Sequence, residues 1–516
     1  MTTRPIRLLA GILTVGGWTM ASRVLGFVRE IVLTALIGPG PVMDAFVAAF
    51  RLPNLFRRFL AEGAFNAAFV PLYSKAAEGG GDAQGLARDA LSGLGAVVLV
   101  LVGLGMMFMP ALVWATAGGF VGDARFNLAV GYGHVVFPYI FFMSLAALFS
   151  GVLNSHGRFA AAAAAPVLLN VFVITAMLTG YWLGGTVIEW LIWAIPVAGL
   201  AQLALVWTAT ERAGVHLRPA RPRWTPEMKH LVIVGLPAAM ANGVTQINLV
   251  VGQLVASRTE GAISWLFTAD RLYQLPLGVV GIAIGIVLLP ELSRRLKAED
   301  SAGARHSLSR ALEFALILTL PCAAAFLVIP LPIVSVLFER GATDAADSAA
   351  IAQAVAIYGL GLPAFVLQKL QQPVYFARED TSTPFRYALM AMVVNAALAF
   401  GLMPLIGWLA PAVAATVAAW TMTGLLWWGA RGFGQAAQLD ARARRATPRL
   451  VLASAVMGVG IWGLATALAG PLGADWLRYA ALLAVVVAGA GLYAVAGQVL
   501  GAFRLADIRA GLRRGR

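Results

Sequence analysis

Charge is scarce in this chain. Only 12% of its 516 residues are Asp, Glu, Lys or Arg, about half the share found in soluble domains. That excludes a water-soluble globule and a disordered chain. Cysteine is rarer still: the single Cys322 lies in an apolar run, so there is no disulfide framework. The five histidines, at 134, 156, 216, 230 and 306, show no metal-ligand spacing, and no metal site is expected. The phosphate loop GxxxxGK[ST] is missing, as are HExxH and GxSxG. The glycines at 79–81 sit in a loop with no lysine placed for phosphate. No ATP engine, no catalytic residue and no cofactor are therefore expected of this chain.

What is present is apolar surface, 60% by residue count. A helix needs about 20 mostly apolar residues to cross the hydrocarbon core. Fourteen segments qualify: 7–37, 42–74, 91–115, 127–153, 160–180, 187–209, 230–255, 263–290, 307–330, 348–377, 385–404, 410–430, 450–469 and 477–500. The expected fold is an all-α integral membrane protein. The first segment contains Arg23 and Arg29 and has no small-residue cleavage site, so it reads as a retained span and not as a signal peptide.

The net charge of +14, from 38 Lys and Arg against 24 Asp and Glu, would point a soluble protein toward nucleic acid. Its distribution argues otherwise. Loops on the side of the termini hold 26 of the cations; the opposite loops hold only Arg125, Arg258, Arg340 and Arg478. Cytoplasmic loops retain the Lys/Arg excess. The expectation is a multi-pass protein of the bacterial inner membrane, both termini cytoplasmic, with no nucleic-acid partner.

Self-similarity recurs at an offset near 220 residues. Arg51-Leu52 followed by Pro71-Leu-Tyr-Ser-Lys75 matches Arg271-Leu272 followed by Pro290-Glu-Leu-Ser-Arg294; Pro138 pairs with Pro363, Pro166 with Pro384, and Asn170 with Asn395. The expected organisation is a six-span lobe over 1–212, a second over 228–431, two extra spans over 447–502 and a basic cytoplasmic tail over 503–516. Six is even, so the copies share one topology and are expected to be related by an axis along the membrane normal, with a substrate site between lobes.

Eight cations fall inside spans. Arg310 is near enough to a span end to snorkel. The others are Arg23, Arg29, Arg51, Arg57, Arg58, Arg271 and Lys369, against Glu30, Asp44, Glu62 and Asp270, a net of +3. An intramembrane Arg costs about 2.5–3.5 kcal/mol on insertion scales. On a straight helix Asp44, Arg51, Arg58 and Glu62 fall within about 40° of one another; Arg57 falls off that stripe, and Pro53 makes the phase insecure. Arg23 and Arg29 lie about 120° apart, so they face one cavity only if the helix bends or unwinds, and Gly26 is the place for it. Two readings are open. In the structural one these residues snorkel, Arg58 and Glu62 form an i,i+4 pair, and Arg271 pairs with Asp270. In the functional one guanidinium groups line a wet cavity and grip phosphate as bidentate forks. Lys369 fits either reading. A positive cavity suits an anionic substrate better than a cationic drug.

The segments Ser22-Arg-Val-Leu-Gly-Phe27 with Arg29, Asp44-Ala-Phe46, Arg51-Leu-Pro-Asn-Leu-Phe-Arg-Arg58 and Ala61-Glu-Gly-Ala-Phe65, with Ser264-Trp265, Ala269-Asp-Arg-Leu272 and Pro290, closely resemble the MurJ/MviN family of lipid II flippases in the multidrug/oligosaccharidyl-lipid/polysaccharide exporter superfamily. The resemblance covers essentially the whole chain. It implies movement of undecaprenyl-pyrophosphate-linked disaccharide-pentapeptide from the cytoplasmic to the periplasmic leaflet by alternating access, in the service of peptidoglycan synthesis and cell shape. It implies substrate-binding roles for Arg23, Arg29, Arg57 and Arg271, with Ser22, Asp44, Asn54, Arg58, Glu62 and Asp270 in supporting positions. It favours Arg57 where helix phase favours Arg58. It also implies a groove for the polyprenyl tail along spans 13 and 14, and as partners lipid II, membrane lipids and the cell-wall synthesis machinery.

The chain departs from the family at Gln274, where some relatives carry an acid. Spans 7, 11 and 12 hold no Asp or Glu, so a sodium site of the kind some members carry lacks its acids here, even with Asn395 present. Dependence on membrane potential or a monovalent ion is the expected drive. The alternatives are a flippase for another undecaprenyl-pyrophosphate-linked oligosaccharide, of the O-antigen type, a membrane-embedded glycosyltransferase, and a scaffold for cell-wall enzymes.

Overall fold

The structure is a computed structural model that describes residues 5–57, 66–79 and 81–503; side chains are described over the same residues except 5–13, 66–67, 234–245 and 279–287. Arg58 and Glu62 lie outside the described residues, as does the basic tail after 503.

Among the described residues regular structure is entirely helical, as a bilayer demands: without water, each backbone N–H and C=O must find its partner within its own segment or a closed barrel. In chain order the helices are α1 (Pro5–Leu36), α2 (Pro41–Arg57), α3 (Asn66–Glu78), α4 (Ala83–Met107), α5 (Met109–Ala117), α6 (Ala124–Val136), α7 (Tyr139–Ser155), α8 (Ala160–Trp182), α9 (Val187–Glu211), α10 (Pro226–Ala256), α11 (Ala262–Lys297), α12 (Ser301–Val328), α13 (Pro330–Phe338), α14 (Ala345–Phe376), α15 (Ser382–Ile406), α16 (Ala410–Gly429), α17 (Ala441–Ala467), α18 (Ala469–Gly473) and α19 (Leu477–Val499). The described part of each segment assigned as a span lies on one helix or on a pair in series. Among the described residues nine helical runs are long and apolar enough to cross a bilayer. One of these, 382–437, folds back on itself: Gly407, at φ 58°, ends α15 and α16 returns beside it.

Helix starts are set by short acceptors. The carboxylates of Asp82, Asp300 and Asp440 each accept from a backbone N–H three residues on, at 2.7 Å in all three cases, while Asp344 and Asp347 form a reciprocal capping box at the head of α14. Such caps satisfy N–H groups that have no intrahelical partner.

Close contacts divide the chain into two units, residues 1–264 and 265–516. In the first, α1 packs on α8, α2 on α6, and α7, α8 and α9 on one another; its core includes Phe69, Tyr73, Phe149 and Leu231, with Phe149 stacked on Trp207 at 5.3 Å. In the second, α12, α14, α16 and α17 form the central packing, α15 lies on α16, and α19 on α17.

Three of the four cations on the sparsely charged side serve the fold. Arg340 donates to the carbonyls of Val336 and Leu337, at 2.7 and 2.6 Å, closing α13. Arg478 donates to the Glu339 carbonyl at 3.2 Å. Arg125 is 4% exposed and belongs to the cluster described next.

Candidate functional site

Each unit contributes its own set of intramembrane polar residues. In the first, Arg29 on α1 donates from Nη1 to Oδ1 of Asn170 on α8 at 3.0 Å, and Asn170 returns its Nδ2 to the Ser22 carbonyl at 3.0 Å. One buried amide thus fixes a guanidinium against the backbone about two turns earlier on the same helix. Arg23, on that turn, is half-buried, and its Nε is buried with no partner among the described residues. The bend or unwinding expected at Gly26 is corrected in part: α1 is helical throughout, because the i→i−4 ladder continues across the glycine. A Cβ there would stand 3.8 Å from the Asn170 amide, an ordinary contact.

On α2, Asp44 and Arg51 turn toward protein. Asp44 is fully buried. Its Oδ1 accepts from the N–H of Ser264 at 2.9 Å and from its hydroxyl at 2.6 Å; its Oδ2 accepts from the Gly261 N–H at 2.7 Å and from Arg125 at 3.3 Å. Gly261 presents its N–H from a turn with φ 80°, the left-handed region that suits glycine. Arg125 in turn grips Asp123 at 2.6 Å and lies 4.6 Å over the Phe120 ring. Asp44 is therefore the hub of a buried polar knot and does not line open space.

Arg51 donates to Gln253 Oε1 at 3.3 Å, so two members of the polar stripe are seated on protein groups. Asn54 folds back on α2, donating to the Phe50 carbonyl at 2.9 Å, beside Pro53, which has no N–H to give. Arg57 is half-buried at the end of the described part of α2.

In the second unit, Arg271 on α11 sets its guanidinium 4.4 Å over the ring of Phe267, one turn earlier. Asp270 accepts from the Gln274 amide one turn later, so Gln274 donates to an acid on its own helix. Tyr273 stacks on Phe365 at 5.2 Å and meets Tyr358 at 5.0 Å, walling this part of α11 with aromatic rings. Lys369 is exposed on α14. Neither Asn170 nor Arg125 was marked as a site residue by the sequence. A signal existed for each: an Asn one turn past Pro166 in an apolar span, and an Asp-x-Arg at a helix start.

Among the described residues no cluster of His, Cys, Asp or Glu suits a metal ion. The chemistry these residues offer is fixed positive charge in a low-dielectric setting, oriented by an amide at Arg29 and by an aromatic face at Arg271. That is a means of holding an anion.

Comparison with known proteins gives a consistent result. The family model "Lipid II flippase MurJ" matches residues 33–477. A "Probable lipid II flippase MurJ" of Rhizobium tropici is 46% identical over 453 residues, 86% of this chain and 85% of that protein. One of Rhizobium meliloti is 44% identical and covers 97% of this chain and 96% of its own length. The solved structure "Lipid II flippase MurJ, inward closed conformation" matches in fold with a TM-score of 0.79 at 22% identity, over 94% of this chain and 98% of that one. An inward-facing multidrug transporter of the MATE family, at 13% identity, matches with a TM-score of 0.65 over 82% of this chain and 98% of its own.

Proposed function

Because this chain belongs to the lipid II flippase MurJ family, we propose that it carries lipid II from the cytoplasmic to the periplasmic leaflet of the bacterial inner membrane by alternating access, with its termini in the cytoplasm. The observation that supports this reading is the Arg29–Asn170–Ser22 relay beside Arg23: two guanidinium groups on one apolar span, one of them oriented by a buried amide. A guanidinium oriented in this way offers charge-assisted donors to a phosphate.

In this proposal Arg23, Arg29 and Arg57 of the first unit and Arg271 of the second hold the pyrophosphate. The Phe267 ring steadies Arg271 through a cation–π contact. The polyprenyl tail stays in lipid-facing apolar surface along α17 and α19, where Val459 and Val487 are 71% and 62% exposed. Guanidinium is suited to this work because it remains charged at low dielectric and offers paired donors to two oxygens at once. With the cell interior negative, moving two negative charges outward gains up to about 4–5 kcal/mol per 100 mV, which makes the membrane potential a sufficient drive.

The test is a reconstituted flipping assay with labelled lipid II under controlled potential and pH. Arg57→Ala and Arg271→Ala are expected to abolish delivery while membrane insertion stays normal. Wild-type delivery by either variant defeats the assigned role. An O-antigen lipid in parallel vesicles separates the two lipid-linked substrates: equal transport of both assigns the cavity to pyrophosphate alone and not to the lipid II headgroup.

A further inference from the structure

At one end of the second unit the guanidinium groups fall into two classes. Arg310 donates to Glu313 and to Asp440, both at 2.6 Å; Arg442 lies 3.4 Å from Glu313; Arg305 holds the Leu439 carbonyl at 3.2 Å. These contacts, with Ser309 Oγ accepting from the Asp440 N–H at 3.0 Å, pin residues 439–440 against α12. Arg431 and Arg444 differ. Neither has a hydrogen-bond or ion-pair partner among the described residues, yet both line one cavity of 410 Å³ together with Gln438, Leu439 and Trp427.

No carboxylate lines that cavity; the neighbouring Asp440 is already taken by Arg310 and by its cap on α17, and Asp380, which lines an adjoining cavity with Arg431, accepts from the Thr383 N–H. Two like charges facing one space with no acid in its lining favour an anion there. The depth is indicated by Trp427 and Trp428, 37% and 63% exposed, since indole rings concentrate at the headgroup level of a bilayer. Behind the cavity a 20 Å³ space shares Trp427, Ala430, Ala437 and Leu439 with it. That space is lined by Gln371, 7% exposed, whose amide oxygen and nitrogen both lack partners. It is large enough for one water, a relay between the buried amide and an ester or glycerol oxygen outside.

We infer that the Arg431–Arg444 cavity binds the phosphodiester headgroup of an anionic glycerophospholipid. Paired guanidinium supplies the forked donors, the tryptophan edge takes the glycerol backbone and first acyl carbons, and the pinned 439–440 segment keeps the walls in place. The inference is independent of the transport reading, since none of its residues belongs to the proposed pyrophosphate hold.

The test is native mass spectrometry of the detergent-purified full-length protein, titrated with phosphatidylglycerol or phosphatidylcholine. The wild type is expected to retain phosphatidylglycerol preferentially. Arg431→Gln and Arg444→Gln are each expected to weaken that retention about five- to tenfold, with helical content and phosphatidylcholine adducts unchanged. Arg445→Gln removes the same charge one residue along, outside the cavity, and is expected to change nothing. Equal loss in Arg445→Gln overturns the inference, as does undiminished retention in both cavity variants. Displacement of the lipid by millimolar inorganic phosphate reassigns the cavity to a soluble anion and likewise overturns it; so does preferential retention of a polyprenyl phosphate.

Discussion

Asp44 and Ser264 are joined twice: one carboxylate oxygen accepts both the backbone N–H and the hydroxyl of the serine, at 2.9 and 2.6 Å, across 220 residues of chain. The other oxygen serves Gly261 and Arg125, so an acid with no exposed surface has four donors aimed at it. Burying a carboxylate is tolerable only on such terms.

The knot predicts a graded loss of stability. Ser264→Ala removes one charge-assisted bond and leaves the N–H in place; it is expected to cost about 1.5–3 kcal/mol. Asp44→Asn presents an NH2 group to donors and strands Arg125 with Asp123 alone; it is expected to cost more, roughly 3–4 kcal/mol. Thermal unfolding of the detergent-purified protein checks the order. A Ser264→Ala variant as unstable as Asp44→Asn contradicts the four-donor account.

Asn170 is expected to act on transport through Arg29. Asn170→Ala frees the guanidinium from its tie to α8, and lipid II binding is expected to weaken about tenfold, the equivalent of one hydrogen bond to a charged group. Asn170→Asp is the sharper probe. The acid still accepts from Arg29 but cannot donate to the Ser22 carbonyl, and it cancels the positive charge. Binding is expected to fall further than in Asn170→Ala, although the side chain keeps its shape. Equal effects of the two substitutions would show that charge at Arg29 does not matter to the substrate.

The bilayer made much of this legible in advance. Hydropathy alone places helix under the described part of every assigned span, because runs of this length that cross lipid must satisfy their backbone within the segment, and the position of Arg23, Arg29 and Arg271 within apolar runs singles them out without any tertiary information. The Asp44 knot was not legible. Asp44 shares a helical face with Arg51, which made both look like members of one cavity stripe; only the fold brings Gly261 and Ser264 to the acid and Gln253 to Arg51. Arg125 was misleading for the same reason. In a count of loop charges it is an outward-facing cation, whereas in the structure it is buried against Asp44 and Phe120. Gly26 looked like a place for α1 to open, yet a permissive residue does not by itself break a helix whose neighbours keep it bonded.

Acid is expected to loosen the loop beside this knot. Asp123 lies outside the spans, and its carboxylate is held below the usual range chiefly by the Arg125 backbone N–H it accepts, with burial opposing and the Arg125 side chain adding to the lowering. Asp380, capping α15 through the Thr383 N–H at 2.9 Å, is lowered for a similar reason. A carboxylate depressed in the folded state stabilises it fully above the unfolded value, 3.8 for these two residues, and the contribution is lost as pH falls through the lower folded value. The thermal midpoint is therefore expected to be flat with respect to these groups from about pH 6 to 8 and to decline below about pH 4. Asp123→Asn and Asp380→Asn should each start lower and decline less steeply. Parallel acid curves for wild type and both variants would remove these caps from the account.

Arg310 offers a case where breaking a pair and removing it differ in cost. It bridges Glu313 on its own helix to Asp440 at the head of α17, and Glu313, 7% exposed, keeps Arg442 within 3.4 Å. Arg310→Ala leaves two acids facing each other with Arg442 as the remaining counterion, and is expected to cost about 2–3 kcal/mol, discounted for partial exposure. Arg310→Leu with Glu313→Leu removes the buried acid together with its partner, so the double variant is expected to recover most of that loss and more than either single change allows. A double-mutant cycle on unfolding midpoints reads the coupling directly. A coupling near zero would mean that Asp440 alone holds α12 to α17, and Arg310→Ala should then be matched by Asp440→Ala.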